Sequence, residues 1–232
     1  MSTSTDSSVP VLLLHGWGGT FRSSWGASHW VEAIECTGRS VIALDLPGHG
    51  QAGGSLDPYA YADLASAVRD LLPKVGIVDA IGYSLGGKVL LALALAEPDR
   101  FRRLVIAGLG SNVFKPESAG SLLAHALEQG VDAHTPAPIK ALVEYALQAG
   151  NDPKAVAAVL RRPANPTIQA AQLARLYLPT LLVCGDQDAV AMPIEPLMTA
   201  LPEASSVVLP GVNHLDLLSQ RECRDAALAF LA

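Results

Sequence analysis

Residues Ile77 to Ala96 force a sharp change of direction on the chain. Ile77-Val78-Asp79-Ala80-Ile81 is a short run of the length of a buried strand. Lys88 to Ala96 is rich in Ala and Leu and stops near Glu97-Pro98, as a helix does. Between them stands Gly82-Tyr83-Ser84-Leu85-Gly86-Gly87, which contains a Gly-x-Ser-x-Gly pentapeptide. A serine on so tight a strand-to-helix turn must take strained backbone angles, and glycines on either side give it room. The turn lifts the hydroxyl above the sheet, with the N–H groups of the next helix pointing toward it. In that setting the pentapeptide reads as a nucleophile elbow and Ser84 as its nucleophile.

The rest of the chain repeats the strand–loop–helix rhythm. Val9 to Leu14 is an apolar run ending in the glycine loop His15-Gly16-Trp17-Gly18-Gly19. Ser40 to Leu44 ends in a second loop, Asp45-Leu46-Pro47-Gly48-His49-Gly50. Tyr59 to Pro73 has apolar residues at helical spacing and predicts a crossover helix. Further strands are expected at Arg103–Ala107, Pro179–Cys184 and Ser205–Leu209, with a last helix over about residues 216–231. Alternation of this kind predicts an α/β fold, doubly wound, with a mostly parallel sheet of about six strands. From about Asn112 to Tyr177 the rhythm breaks. That interval holds helical stretches at 119–129, 138–148, 153–160 and 167–176, punctuated by Gly, Pro and Asn. We read it as an inserted helical cap over 112–177, with 1–111 and 178–232 forming the core. Two ordinary crossover helices with long loops are the alternative.

A chain of 232 residues, 50% hydrophobic and only 16% charged, can bury a sizeable core. A net charge of −6 without a Lys/Arg run argues against a nucleic-acid or anionic-membrane partner. Cys36, Cys184 and Cys223 are odd in number and widely spaced, as expected of reduced thiols in a cytoplasmic protein. Met1 to Ser8 lacks a basic and apolar leader, and no apolar run is long enough to span a bilayer. There is no His-x-x-x-His and no Cys-x-x-Cys, and the glycine loop His15 to Gly19 lacks the Gly-x-Gly-x-x-Gly spacing and a Walker lysine, so neither metal nor another cofactor is expected.

Taken together, five segments resemble the α/β-hydrolase fold superfamily, most of all its capped carboxylesterases. They are His15-Gly16-Trp17-Gly18, Asp45 to Gly50, the elbow, Gly185-Asp186-Gln187-Asp188, and Gly211-Val212-Asn213-His214. They stand in the family's order and each follows a predicted strand. One departure is the antiparallel hairpin with which such proteins usually begin. Only eight residues precede Val9, so the hairpin is expected to be missing and the strand at 40–44 to lie at a sheet edge. Cover by residues 2–8 or by nearby loops, or edge-to-edge contact between copies in a homodimer, would then be expected.

Serine needs a base, and the base needs a third group to hold its tautomer. The resemblance implies His214 as base and Asp188, the fourth residue of Gly-x-x-Asp, as acid. Asp186 is the competing carboxylate, otherwise a turn residue capping local N–H groups. The resemblance also implies backbone N–H groups of Trp17 and Leu85 as oxyanion donors. His15 would organise its loop and His49 would hold the second glycine turn. His29, His125 and His134 read as surface residues. Tyr83 is expected to pack against the elbow. The function implied is cleavage of a small, mainly apolar ester or lactone through an acyl-enzyme. The same triad could serve C–C cleavage, elimination or perhydrolysis, or a receptor could use the pocket for binding alone. Cap residues Leu122, Leu123, Leu127, Leu142, Val143, Leu147, Val156, Val159 and Leu160 imply an apolar pocket. Lys115, Lys140, Arg161 and Arg162 could meet an acidic substrate or simply be solvated.

Overall fold

The computed structural model describes residues 9–72, 76–115, 120–163 and 168–232. Its centre is a six-stranded, all-parallel sheet. The strands are β1 (Val11–Leu14), β2 (Val41–Ala43), β3 (Val78–Tyr83), β4 (Phe101–Ala107), β5 (Thr180–Gly185) and β6 (Ala204–Leu209). Their spatial order is β2-β1-β3-β4-β5-β6. Strands buried on both faces need apolar side chains on both, which is why β1 reads Val-Leu-Leu-Leu without a polar break. Leu12, Leu14, Ala80, Leu104, Ile106 and Leu182 enter one core cluster. Val11, Leu13, Ile81, Val105, Leu181 and Val183 enter another. The two-residue period of the strand thus sorts neighbours into opposite layers.

The first layer takes residues from α2 (Leu64–Leu71), α3 (Leu85–Ala96) and α8 (Glu195–Ala200), and the second from α1 (Trp30–Glu35) and α9 (Arg221–Leu231). Between β4 and β5 lies a helical insert. It contains α4 (Gly120–Gln129), α5 (Ala137–Gln148), α6 (Pro153–Leu160) and the short α7 (Ala170–Leu173). Leu123, Leu127, Ile139, Val143 and Val156 form a buried cluster of their own, with Trp17 packed on it from the core.

The structure differs from the expected elements in several places. The helix expected over 59–73 splits into a 3-10 turn, Pro58–Tyr61, and α2. Two aspartates cause this: Asp57 caps Tyr59 N–H and Asp63 caps Ser66 N–H, giving two starts. Residue 73 lies outside the described residues. The last helix is likewise preceded by a separate turn at Leu217–Ser219, because Gln220 is extended. Helices α1 and α8 are additional, each too short at six residues to show a helical period.

Among the described residues strand β2 pairs with β1 alone and lies at the sheet edge. The expected cover by residues 2–8 falls outside the described residues. Among the described residues no helix is long and apolar enough to cross a membrane.

Candidate active site

The chain leaves β1 toward β2 on one side and later leaves β3 toward β4 on the other. In open α/β sheets such a switch point opens a crevice beyond the carboxyl ends of the two strands. The loops that emerge there are His15–Gly19, after β1, and the elbow, after β3.

Ser84 links β3 to α3 with φ 51° and ψ −113°, a left-handed value that β-carbon-bearing residues rarely adopt. Its glycines are required by contact. A β-carbon on Gly86 would collide with the carbonyl oxygens of Leu14 and His15. One on Gly82 would stand 2.7 Å from Gly86 O. The half-buried Ser84 Oγ lies 3.0 Å from His214 Nε2, and His214 Nδ1 lies 2.7 Å from Asp188 Oδ2. The short contact to a carboxylate places the imidazole proton on Nδ1, leaving Nε2 to accept from the serine hydroxyl. Asp188 is fully buried, and its Oδ1 accepts N–H bonds from Val190 and Ala191 at 3.0 and 2.9 Å. Asp186 is exposed and accepts from Gly211 N–H at 2.7 Å, outside this chain of bonds.

Two buried histidines brace the glycine loops. His15 Nε2 accepts from Leu46 N–H at 2.9 Å while its Nδ1–H donates to Gly16 O. His49 Nε2 accepts from Gly18 N–H at 3.0 Å, and its Nδ1–H donates to Pro47 O. Burial holds both below the ordinary imidazole range, His49 down to about 3, so both are neutral acceptors. Gly16 lies so close to the elbow that a β-carbon there would stand 3.2 Å from Ser84 Cβ. That approach brings the loop carrying Trp17 N–H beside Ser84. Leu85 is the first residue of α3, where a helix N–H has no intrahelical partner.

A model of the alpha/beta hydrolase family matches residues 11–226. The chain belongs to that family. It is 28% identical over 248 residues to pimeloyl-[acyl-carrier protein] methyl ester esterase of Edwardsiella ictaluri, covering 96% of this chain and 92% of that protein. It is 38% identical over 110 residues to the dihydrolipoyllysine-residue acetyltransferase component of the acetoin cleaving system of Pseudomonas putida. That match spans 45% of this chain and 29% of the relative's length. Among solved structures, a thermophilic esterase from Thermogutta terrifontis aligns with a TM-score of 0.73 and 26% identity, over 98% of this chain and 90% of that one.

The chain also carries bonds around the site that its sequence does not single out. Asn151, buried after α5, donates to Gly18 O at 2.7 Å and to Ala146 O, and accepts from Gly50 N–H at 2.9 Å. Trp17 Nε1–H donates to Val156 O of α6 at 3.1 Å. The helical insert therefore grips the first glycine loop directly. Tyr83 donates its hydroxyl proton to His214 O at 2.6 Å. Asn151 could be read only as a breaker within Gly-Asn-Asp-Pro, and Tyr83 occupies a variable position of the pentapeptide.

His29, His125 and His134 are exposed. Arg161 is held by Glu128 of α4, with Nη2 to Oε2 at 2.7 Å, and Arg162 donates to Val159 O. Lys115 is exposed and Lys140 half-buried. Of the apolar cap residues, Leu123, Leu127, Val143 and Val156 are buried in the insert's own cluster, whereas Leu122 and Leu147 are exposed. Among the described residues no group of three or more His, Cys, Asp or Glu is placed to hold a metal ion.

Proposed function

We propose that the protein is a serine carboxylesterase that cleaves a small, mainly apolar ester or lactone through an acyl-enzyme. The observation that carries this reading is the continuous bond chain Ser84 Oγ, His214 Nε2, His214 Nδ1, Asp188 Oδ2, built on an elbow. His214 Nε2 takes the Ser84 proton as Oγ attacks the ester carbonyl, and Asp188 stabilises the imidazolium that forms. The oxyanion is met by the N–H groups of Leu85 and Trp17. The imidazolium then protonates the leaving alkoxide. Water, deprotonated by the same nitrogen, releases the acid and restores Ser84. Three side chains, two backbone donors and water balance the reaction, so no cofactor is called for. The ester-cleaving relatives with near full-length matches support an ester as substrate. Residues 112–177 act as the cap over this site.

A fluorophosphonate probe and a panel of p-nitrophenyl esters of varied acyl length test the reading. The native protein should gain one probe mass and hydrolyse part of the panel after exhaustive chelation. Ser84→Ala should lower kcat by roughly 10³- to 10⁶-fold while staying folded. Labelling that persists in Ser84→Ala would overturn the assignment, and an enzyme inert on the whole panel would point to lyase chemistry.

A further inference from the structure

Tyr83 is the last residue of β3 and the immediate neighbour of Ser84, and its side chain is 97% buried beneath the base. Its ring lies 5.2 Å from the His214 imidazole, centroid to centroid, tilted by 31°. The ring also crowds two loop glycines. A β-carbon on Gly16 would stand 2.8 Å from Tyr83 Cδ1, and one on Gly108 2.8 Å from Cε2 and 3.1 Å from His214 Cε1. One side chain thus touches the first glycine loop, the turn after β4 and the base.

Apart from the two ring bonds, His214 has few other ties among the described residues. Leu217 N–H reaches the same carbonyl oxygen only at 3.4 Å, against 2.6 Å for the Tyr83 hydroxyl. Asn213 and Asp216 bond to each other at the surface. Further back, Gln187 N–H holds Val212 O at 3.0 Å. The short bond from the sheet is the main-chain tie nearest the imidazole. Burial raises the phenol well above its ordinary value of 10, so the hydroxyl keeps its proton and remains a donor.

We propose that Tyr83 is a positioning residue for the base. Its hydroxyl clamps the His214 main chain and its ring backs the imidazole, holding Nε2 within bonding reach of Ser84. Nucleophile and clamp are consecutive residues of one strand end. Any shift of β3 therefore moves both together and conserves the Ser84–His214 distance. The inference rests on the serine-hydrolase reading above, because it concerns how that base is held. Misplacing a general base by a fraction of an ångström lowers the chemical rate without altering how the ground-state ester binds.

Tyr83→Phe keeps the ring and removes the clamp. Assayed beside wild type and Ser84→Ala, and normalised to sites titrated by a fluorophosphonate, it should lose about tenfold in kcat and in phosphonylation rate. KM for the p-nitrophenyl ester should stay within about twofold. Because the titration endpoint counts competent molecules, a partly unfolded variant still yields a rate per site. Wild-type kcat and phosphonylation rate in Tyr83→Phe, or a raised KM at unchanged kcat, would overturn the proposal while leaving Ser84→Ala inactive. Activity retained in Ser84→Ala would instead remove the serine-hydrolase reading, and the proposal with it.

Discussion

Asp79 and Asp188 are both fully buried carboxylates at opposite ends of one sheet. Asp79 stands near the start of β3, between two arginines. Arg102 donates from Nε to Oδ1 at 3.0 Å and from Nη2 to Oδ2 at 2.6 Å, and Arg39 Nη2 meets Oδ2 at 2.5 Å. The same arginines bind Val9 O and Leu231 O, tying both ends of the core to the sheet. Asp188, after β5, is held by two backbone N–H groups and one imidazole. A guanidinium keeps its charge at any working pH, so the Asp79 cluster is a fixed lock. An imidazole can take a second proton, so in the proposed mechanism Asp188 stays ionised beside a partner whose charge changes as Ser84 reacts. The partner, not the burial, decides whether a buried carboxylate holds a fold or serves a site.

The sharpest way to break this contrast is to neutralise each acid in place. Asp188→Asn should reduce kcat/KM by roughly 10³- to 10⁴-fold, because an amide cannot hold the productive imidazole tautomer. Its urea midpoint should stay near wild type. Asp79→Asn should do the reverse, lowering unfolding stability by about 3–5 kcal/mol because two guanidiniums lose the buried carboxylate they share. Its kcat per titrated site should stay within about twofold of wild type. An Asp79→Asn protein with normal stability, or an Asp188→Asn enzyme with near-normal rate, would show that the two environments do not differ as described.

The two ends were not equally legible in the sequence. Ser84, His214 and the Asp186/Asp188 pair each follow a predicted strand, and a parallel sheet gathers all such loops at one edge. Their positions along the chain therefore carry spatial information. The Asp79 cluster lies at the strand starts, and its arginines are 40 and 23 residues away. No local pattern marks that pairing, which depends on register and strand order. Strands β1, β3 and β5 were readable because strands buried throughout are mostly apolar, whereas the edge strands β2 and β6 are only partly buried. Helices α1 and α8 were not readable, since six residues hold less than two turns. Choosing Asp188 over Asp186 needed family spacing, since sequence alone does not show which carboxylate turns inward. Tyr83 and Asn151 act through hydroxyl and amide bonds to backbone, which leave no trace in spacing.

A third buried polar group sharpens the contrast from the other side. His49 is buried and neutral, its pKa pushed from 6.5 to about 3 chiefly by desolvation. Between those values the unfolded chain binds a proton that the folded chain refuses. Stability is thus complete above about pH 6.5 and falls as pH drops through the window, by about 1.4 kcal/mol per pH unit. His49 alone should cost roughly 2 kcal/mol at pH 5 relative to pH 7, with His15, also lowered by burial, adding to it. His49→Gln keeps an acceptor for Gly18 N–H and should flatten part of this acid loss. Urea titrations at pH 7 and pH 5 measure it. An unchanged pH dependence in His49→Gln would mean that this imidazole is not excluded from protonation in the fold.

The smallest effect is expected at Asp186, two residues from Asp188 in sequence and exposed where Asp188 is buried. Its one bond, to Gly211 N–H, steadies the start of the loop that ends in His214. An exposed bond of this kind contributes under about 1 kcal/mol, since water replaces it when it is lost. Asp186→Asn also keeps an oxygen that can accept from the same N–H. Its kcat/KM should stay within about threefold of wild type, and its urea midpoint should hardly move. Side-by-side kinetics of Asp186→Asn and Asp188→Asn on one ester settle the ranking. If Asp186→Asn proved the more damaging, the acid would be a solvated carboxylate, and burial against a titratable partner would no longer distinguish the two ends of the sheet.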